Sequence, residues 1–164
     1  MILRVTKKVL DKIYLKGLDG EAMNEPSRFL EEWYINSIAI ERRQYFMFSE
    51  ASTLYTVVIP SKGITSRKKL EEAAVDVLFR MVKHHVGFDS GFFESLASSV
   101  TILKTKSRSV LSSMNQLTLA VQYGEGDTSQ GFDDLNDLIL GALKYDSPRD
   151  ALIKAVNSID SFQY

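Results

Sequence analysis

Thr101-Ile102-Leu103-Lys104-Thr105-Lys106-Ser107-Arg108-Ser109-Val110-Leu111-Ser112-Ser113-Met114-Asn115-Gln116 changes character partway along its length. Thr101 to Lys104 reads as a short strand, and Thr105 to Ser109 as a basic, hydroxyl-rich corner. From there Val110, Leu111, Met114, Leu117, Thr118 and Val121 share one face at about 100° per residue, while Arg108, Ser112, Asn115 and Leu119 share the opposite face. The stretch is therefore a strand feeding an amphipathic helix that runs to about Tyr123.

Upstream, Ile2 to Val5 reads as a strand, and Thr6 is placed to cap a helix through Tyr14 with Val9, Leu10 and Ile13 as its buried stripe. Residues 15–27 carry Gly17, Gly20, Asn24 and Pro26 and form a loop, with a helical turn expected around Phe29 to Trp33. Three runs rich in β-branched and aromatic residues follow: Tyr34–Ile40, Tyr45–Ser49 and Leu54–Ile59. Connectors Glu41-Arg42-Arg43-Gln44 and Glu50-Ala51-Ser52-Thr53 are of hairpin length, so the three predict an antiparallel meander. Its middle strand is apolar on both faces, as in a central strand covered twice or a strand with one face on a partner. A helix is expected from Ser66 to about His84, stopped by Gly87, and a second from Gly91 to Ala97.

Downstream, Gly124-Glu125-Gly126-Asp127 is an acidic loop. Phe132, Leu135, Leu138, Ile139 and Leu143 predict one further helix, and Ser147-Pro148 begins the last. The order β-α-β-β-β-α-α-β-α-α-α predicts an α+β fold. Its sheet, of about five strands, is antiparallel or mixed and packed with helices in a single domain over residues 1–164. The order does not repeat a βα unit, which argues against a doubly wound nucleotide-binding fold.

Composition narrows the function classes. The 164 residues are 45% hydrophobic and 25% charged, enough for a real core. No apolar run approaches the ~18 residues that span a bilayer, so no membrane role is expected. The N-terminus does not read as a signal peptide, and the chain has no cysteine, which together favour a cytoplasmic protein without disulfides or thiolate metal sites. A net charge of −1 opposes a surface that grips nucleic acid all round. The charge is nevertheless segregated. Residues 1–16 hold Arg4, Lys7, Lys8, Lys12 and Lys16 against Asp11 alone; Lys62, Arg67, Lys68 and Lys69 form a second basic segment, and Lys104, Lys106 and Arg108 a third. These are either a one-sided patch or solvated faces.

The corner before Val110 is the main candidate site. A helix start offers free N–H groups and the positive end of the macrodipole, and Lys106, Ser107, Arg108, Ser109, Ser112 and Asn115 surround or follow it. Lys7, Lys8, Arg42 and Arg43 are flanking cations. The competing reading makes Ser107 or Ser109 an ordinary N-cap and pairs Arg108 with an acid of Asp133–Asp137. A P-loop is excluded by the missing glycines. His84 and His85 are adjacent, hence about 100° apart on a helix and unable to chelate one metal together, so no metal is expected. Glu31-Glu32 reads as a solvated face. The aromatic set Trp33, Tyr34, Tyr45, Phe46 and Phe48 reads as core, since the basic-aromatic pattern of an RNA-recognition strand is missing.

The segments Arg4-Val5-Thr6-Lys7-Lys8-Val9-Leu10 and, more specifically, T-x-x-R-S-V-L-x-S-M-N from Thr105 to Asn115 resemble a family of short bacterial proteins known only as a domain of unknown function. Trp33-Tyr34 with Asn36, and Arg42-Arg43, fit the same pattern over residues 1 to about 150. The family usually has Gly at Ser112 and an acid at Gln116, so a role needing close backbone approach there is not carried over. The resemblance implies a bacterial, cytoplasmic protein and brings no activity or cofactor. The leading expectation is a non-enzymatic binding module for a phosphate-bearing ligand or nucleic acid. The alternative is an interaction or regulatory module using strand Tyr45–Ser49 or the acidic loop 124–137, with a protein partner or a second copy. An enzyme using the Arg108–Asn115 stripe ranks third.

Overall fold

The aromatic and β-branched runs between residues 32 and 60 form the meander that their connectors predict. In the computed structural model, which describes residues 1–20, 28–85, 90–124 and 132–160, it comprises β2 (Glu32–Ile40), β3 (Arg43–Glu50) and β4 (Thr56–Pro60). With β1 (Ile2–Val5) and β5 (Thr101–Lys104) they make one mixed sheet in the order β4-β3-β2-β1-β5. β1 is parallel to both neighbours, with Leu3 opposite Trp33 and Ile102. β2 pairs antiparallel with β3 from Trp33↔Glu50 to Ile40↔Arg43.

Both sheet faces are covered. Leu3, Val5, Trp33, Ile35, Phe46, Phe48 and Ile102 pack on one side with α1 (Lys7–Lys12), α2 (Arg67–His85), Leu96 of α3 (Ser90–Ala97) and α5 (Pro148–Asp160). Tyr34, Ile38, Ile40 and Met47 pack on the other with Val110, Met114 and Leu117 of α4 (Arg108–Tyr123). The doubly apolar run in β3 is therefore a central strand: Phe46, Met47 and Phe48 are all 0% exposed. Burying each contributes roughly 1.5–3 kcal/mol. It offers a partner no free surface.

Three local findings differ from expectation. The β2–β3 connector is two residues, Glu41 (φ 47°) and Arg42 (φ 64°), the left-handed pair of a tight hairpin turn usually given to Asn and Gly. The residues around Phe29 form a turn, and Trp33 already lies in β2. The single helix expected through Phe132–Leu143 is instead two short 3-10 turns, Asp133–Asp137 and Gly141–Leu143, followed by a bridge between Leu140 and Asp146. Of its apolar residues only Leu135 and Leu140 are buried; Ile139 is 63% exposed, so the apolar residues do not share one buried helical stripe.

Asn136 explains why this segment lies where it does. Its Oδ1 accepts from the Thr56 N–H (2.7 Å) and its Nδ2 donates to the Thr56 carbonyl (2.9 Å). One side chain thus supplies β4 with the pairing that a further strand would give. Beside it, Arg149 ties Asp133 and Asp137 together. α5 begins as its sequence predicts, with the Ser147 hydroxyl accepting from Asp150 N–H at 3.1 Å.

Candidate functional site

At the strand-corner-helix, Ser107 is the N-cap of α4: its Oγ accepts from Val110 N–H at 3.3 Å. Its own N–H donates to the Tyr34 hydroxyl at 3.1 Å. Burial pushes the Tyr34 phenol above its ordinary pKa, keeping it neutral as that acceptor. Beneath the corner lies a buried charge cluster. Arg4, 1% exposed, donates its Nε to Glu32 Oε1 at 2.5 Å and an Nη to the Lys104 carbonyl at 3.1 Å. Lys106 Nζ is 3.9 Å from the same Glu32 oxygen. Glu32, expected on a solvated face, is 3% exposed because its position puts it beside Arg4 under α4. Lys106 is thus drawn inward toward a carboxylate.

The remaining corner residues point outward. Arg108, Ser109, Ser112 and Asn115 are exposed. Arg108 makes no ion pair among the described residues; the acids once available to it, Asp133 and Asp137, are held by Arg149. Burial acts against ionisation of Asp133, but its hydrogen bonds from Arg149 prevail and hold its carboxyl below the usual range.

A different part of the basic surface has concave geometry. α1 crosses the opposite sheet face and lays Lys12 over the Phe46 ring, 5.4 Å from its centroid. Lys12 Nζ donates to Ser61 Oγ at 2.7 Å. Ser61 follows β4, where its N–H continues the ladder to the Gln44 carbonyl (3.0 Å) and its carbonyl accepts from Ile64 N–H (3.1 Å). Gly63, at φ +85°, allows that turn. Around it is a cavity of about 720 Å³, whose walls include Lys12, Arg43, Ser61, Lys62 and Thr65 and, among the described residues, carry no carboxylate. Among the described residues none of the three cations is in an ion pair. Burial lowers the Lys12 ammonium pKa.

The structure thus divides the sequence candidates. Lys106, Ser107, Arg108, Ser109, Ser112 and Asn115 belong to the α4 side, whereas Arg43 lines the cavity on the α1 side. Lys7, Lys8 and Arg42 are exposed and line neither wall. Two of the three basic segments do meet, at Lys12 and Lys62. The second segment's Arg67 is instead committed to Asp19 and Glu71. Lys12 and Lys62 were visible in the sequence only as charges, and Ser61 carried no signal of its own; their meeting depends on where α1 crosses the sheet. The side chains of His84 and His85 lie outside the described residues, as do residues 125–131 of the acidic loop. Among the described residues no group of three or more His, Cys, Asp or Glu is placed to hold a metal, and no helix is long and apolar enough to cross a membrane.

Comparison with known proteins places this chain in one family. A family model described as a domain of unknown function (DUF6933) matches residues 2–151, and the chain belongs to that family. No curated protein and no solved structure gives a match.

Proposed function

We propose that the protein is a binding module for a small phosphate-bearing ligand, held in the cavity of Lys12, Arg43 and Lys62. The observation that carries this is the wall itself: three cations outside any ion pair among the described residues, with no acid among them, around about 720 Å³ of space. That volume falls in the range of roughly 300–1,000 Å³ typical of small-ligand sites. A guanidinium supplies a two-pronged donor for phosphate, and the ammonium groups supply point charges. The Lys12–Ser61 hydrogen bond fixes the position of the Lys12 amine before a ligand arrives.

Titration calorimetry with inorganic phosphate, pyrophosphate and a nucleoside monophosphate tests the reading. Arg43→Ala or Lys62→Ala is expected to weaken binding about tenfold, as loss of a charge-assisted hydrogen bond of roughly 1.5 kcal/mol would. No binding by wild-type protein at low salt sinks it. A nucleic acid would extend to the exposed Lys7, Lys8, Arg42 and Arg108. It would then show a steep fall in affinity with salt that Arg108→Ala makes shallower. We also take the protein to act in the bacterial cytoplasm, a reading supported by the motif at Thr105–Asn115 and the absence of cysteine. Recovery in a membrane or secreted fraction would count against it.

A further inference from the structure

We propose that Lys12 and Ser61 form a general-base and nucleophile pair that transfers an acyl group from an ester carrying an anionic substituent. Lys12 Nζ and Ser61 Oγ are 2.7 Å apart, and both residues line the same cavity of about 720 Å³. Among the described residues the Ser61 hydroxyl makes no other hydrogen bond, so its proton is free to pass to a neutral amine. Among the described residues no carboxylate lines the cavity wall to hold Lys12 as an ammonium. Instead Arg43 and Lys62 share that wall. Burial lowers the Lys12 pKa, which favours the neutral amine. The Phe46 ring beneath Lys12 acts in the opposite direction, since it attracts the ammonium, so activity is expected to rise on the alkaline side.

The chemistry balances with water as the only co-reactant. Ser61 Oγ attacks the ester carbonyl carbon while its proton moves to Lys12 Nζ. The tetrahedral oxyanion then collapses, the carbon–oxygen bond to the leaving group breaks, and Lys12 returns the proton to the departing oxygen. Water, deprotonated by Lys12, attacks the acyl-Ser61 carbonyl; as the acyl–oxygen bond breaks, Lys12 passes that proton to Ser61 Oγ and the acid is released. Arg43 and Lys62 supply positive potential for the anionic substituent and the developing oxyanion. Only this substrate preference rests on the anion-binding reading; the pair itself does not.

The test uses the full chain with an alkyl fluorophosphonate, in which Ser61 Oγ displaces fluoride from phosphorus, followed by peptide mass spectrometry. Wild-type protein is expected to be labelled at Ser61, at a rate rising with pH. Lys12→Met and Lys12→Arg are expected to slow labelling about 100-fold or more. Arginine keeps the charge and a donor toward Ser61 but cannot serve as a neutral base, so it separates catalysis from a structural contact. Absence of a Ser61 adduct in wild-type protein at pH 9, or labelling of Lys12→Arg at the wild-type rate, overturns the proposal. Hydrolysis of 4-acetoxybenzoate is expected to exceed that of uncharged phenyl acetate, and Arg43→Ala to abolish this preference while Ser61 labelling persists. Labelling without any such preference refutes the anion reading and leaves the pair standing.

Discussion

Replacing Glu32 by Ala tests the buried cluster under α4 most directly. Arg4 is 1% exposed and hydrogen-bonded to Glu32 at 2.5 Å, so the substitution removes the carboxylate that faces a buried guanidinium. Breaking a buried pair from one side costs about 3–5 kcal/mol. For a chain of this length that corresponds to a fall in melting temperature of roughly 6–20 °C. Arg4→Met should cost less. Lys106 lies 3.9 Å from the same Glu32 oxygen and has 34% of its side chain exposed, so it remains a partner for the carboxylate. The double variant Arg4→Met/Glu32→Leu removes both buried charges and is expected within about 1.5 kcal/mol of wild type, since apolar replacements of buried pairs are often neutral. Urea unfolding at pH 7 of wild type, Arg4→Met, Glu32→Leu and the double variant gives the cycle, with Glu32→Ala measured beside it. A Glu32→Ala cost below about 1 kcal/mol, or a double variant as damaged as the two singles combined, refutes the reasoning.

Asn136→Ala should cost about 2 kcal/mol in the same assay, because two short hydrogen bonds to the Thr56 backbone are lost where both groups are buried. It should also raise light scattering on storage, because the β4 edge is then uncovered. Asp19 accepts from Arg67 and from the Ile102 N–H, and these bonds hold its carboxyl below the ordinary range. A depressed folded-state pKa stabilises above the unfolded value, and that stability is lost as pH falls through the folded one. Asp19→Asn should therefore destabilise by about 1 kcal/mol at pH 7 and progressively less below pH ~4. A pH-independent difference in urea midpoint would exclude this.

Local patterns carried most of the fold. The α4 stripe, the Ser107 cap, the Ser147-Pro148 start and the three meander strands each follow from spacing that neighbouring residues enforce. Long-range partners were not legible in the same way. Nothing near Thr101–Lys104 says that it lies beside Ile2–Val5, and a charged Arg4 in a strand reads as solvent-facing until its bonds to Glu32 and the Lys104 carbonyl are seen. The candidate site shows the same division. Ser107 and Arg108 stood out because they adjoin a periodic helix, yet the cavity gathers Lys12, Arg43, Ser61 and Lys62 from three separated segments. The helix expected after Phe132 differs for another reason: the apolar spacing is helical, but in the fold Asn136 pairs with the β4 backbone from a short 3-10 turn.

The place of β1 between β2 and β5 also sets an order of assembly. The meander joins neighbours across turns of a few residues, whereas the Arg4 guanidinium reaches Lys104, 100 positions away. Loop closure of that length is slow and entropically costly. The hairpins therefore form ahead of the β1–β5 seam, which closes last. On a ribosome the first strand can pair with β2 early, while its β5 edge must wait until residues 101–104 emerge. In pulse-labelled hydrogen exchange the amides of β3 should gain protection before those of β5.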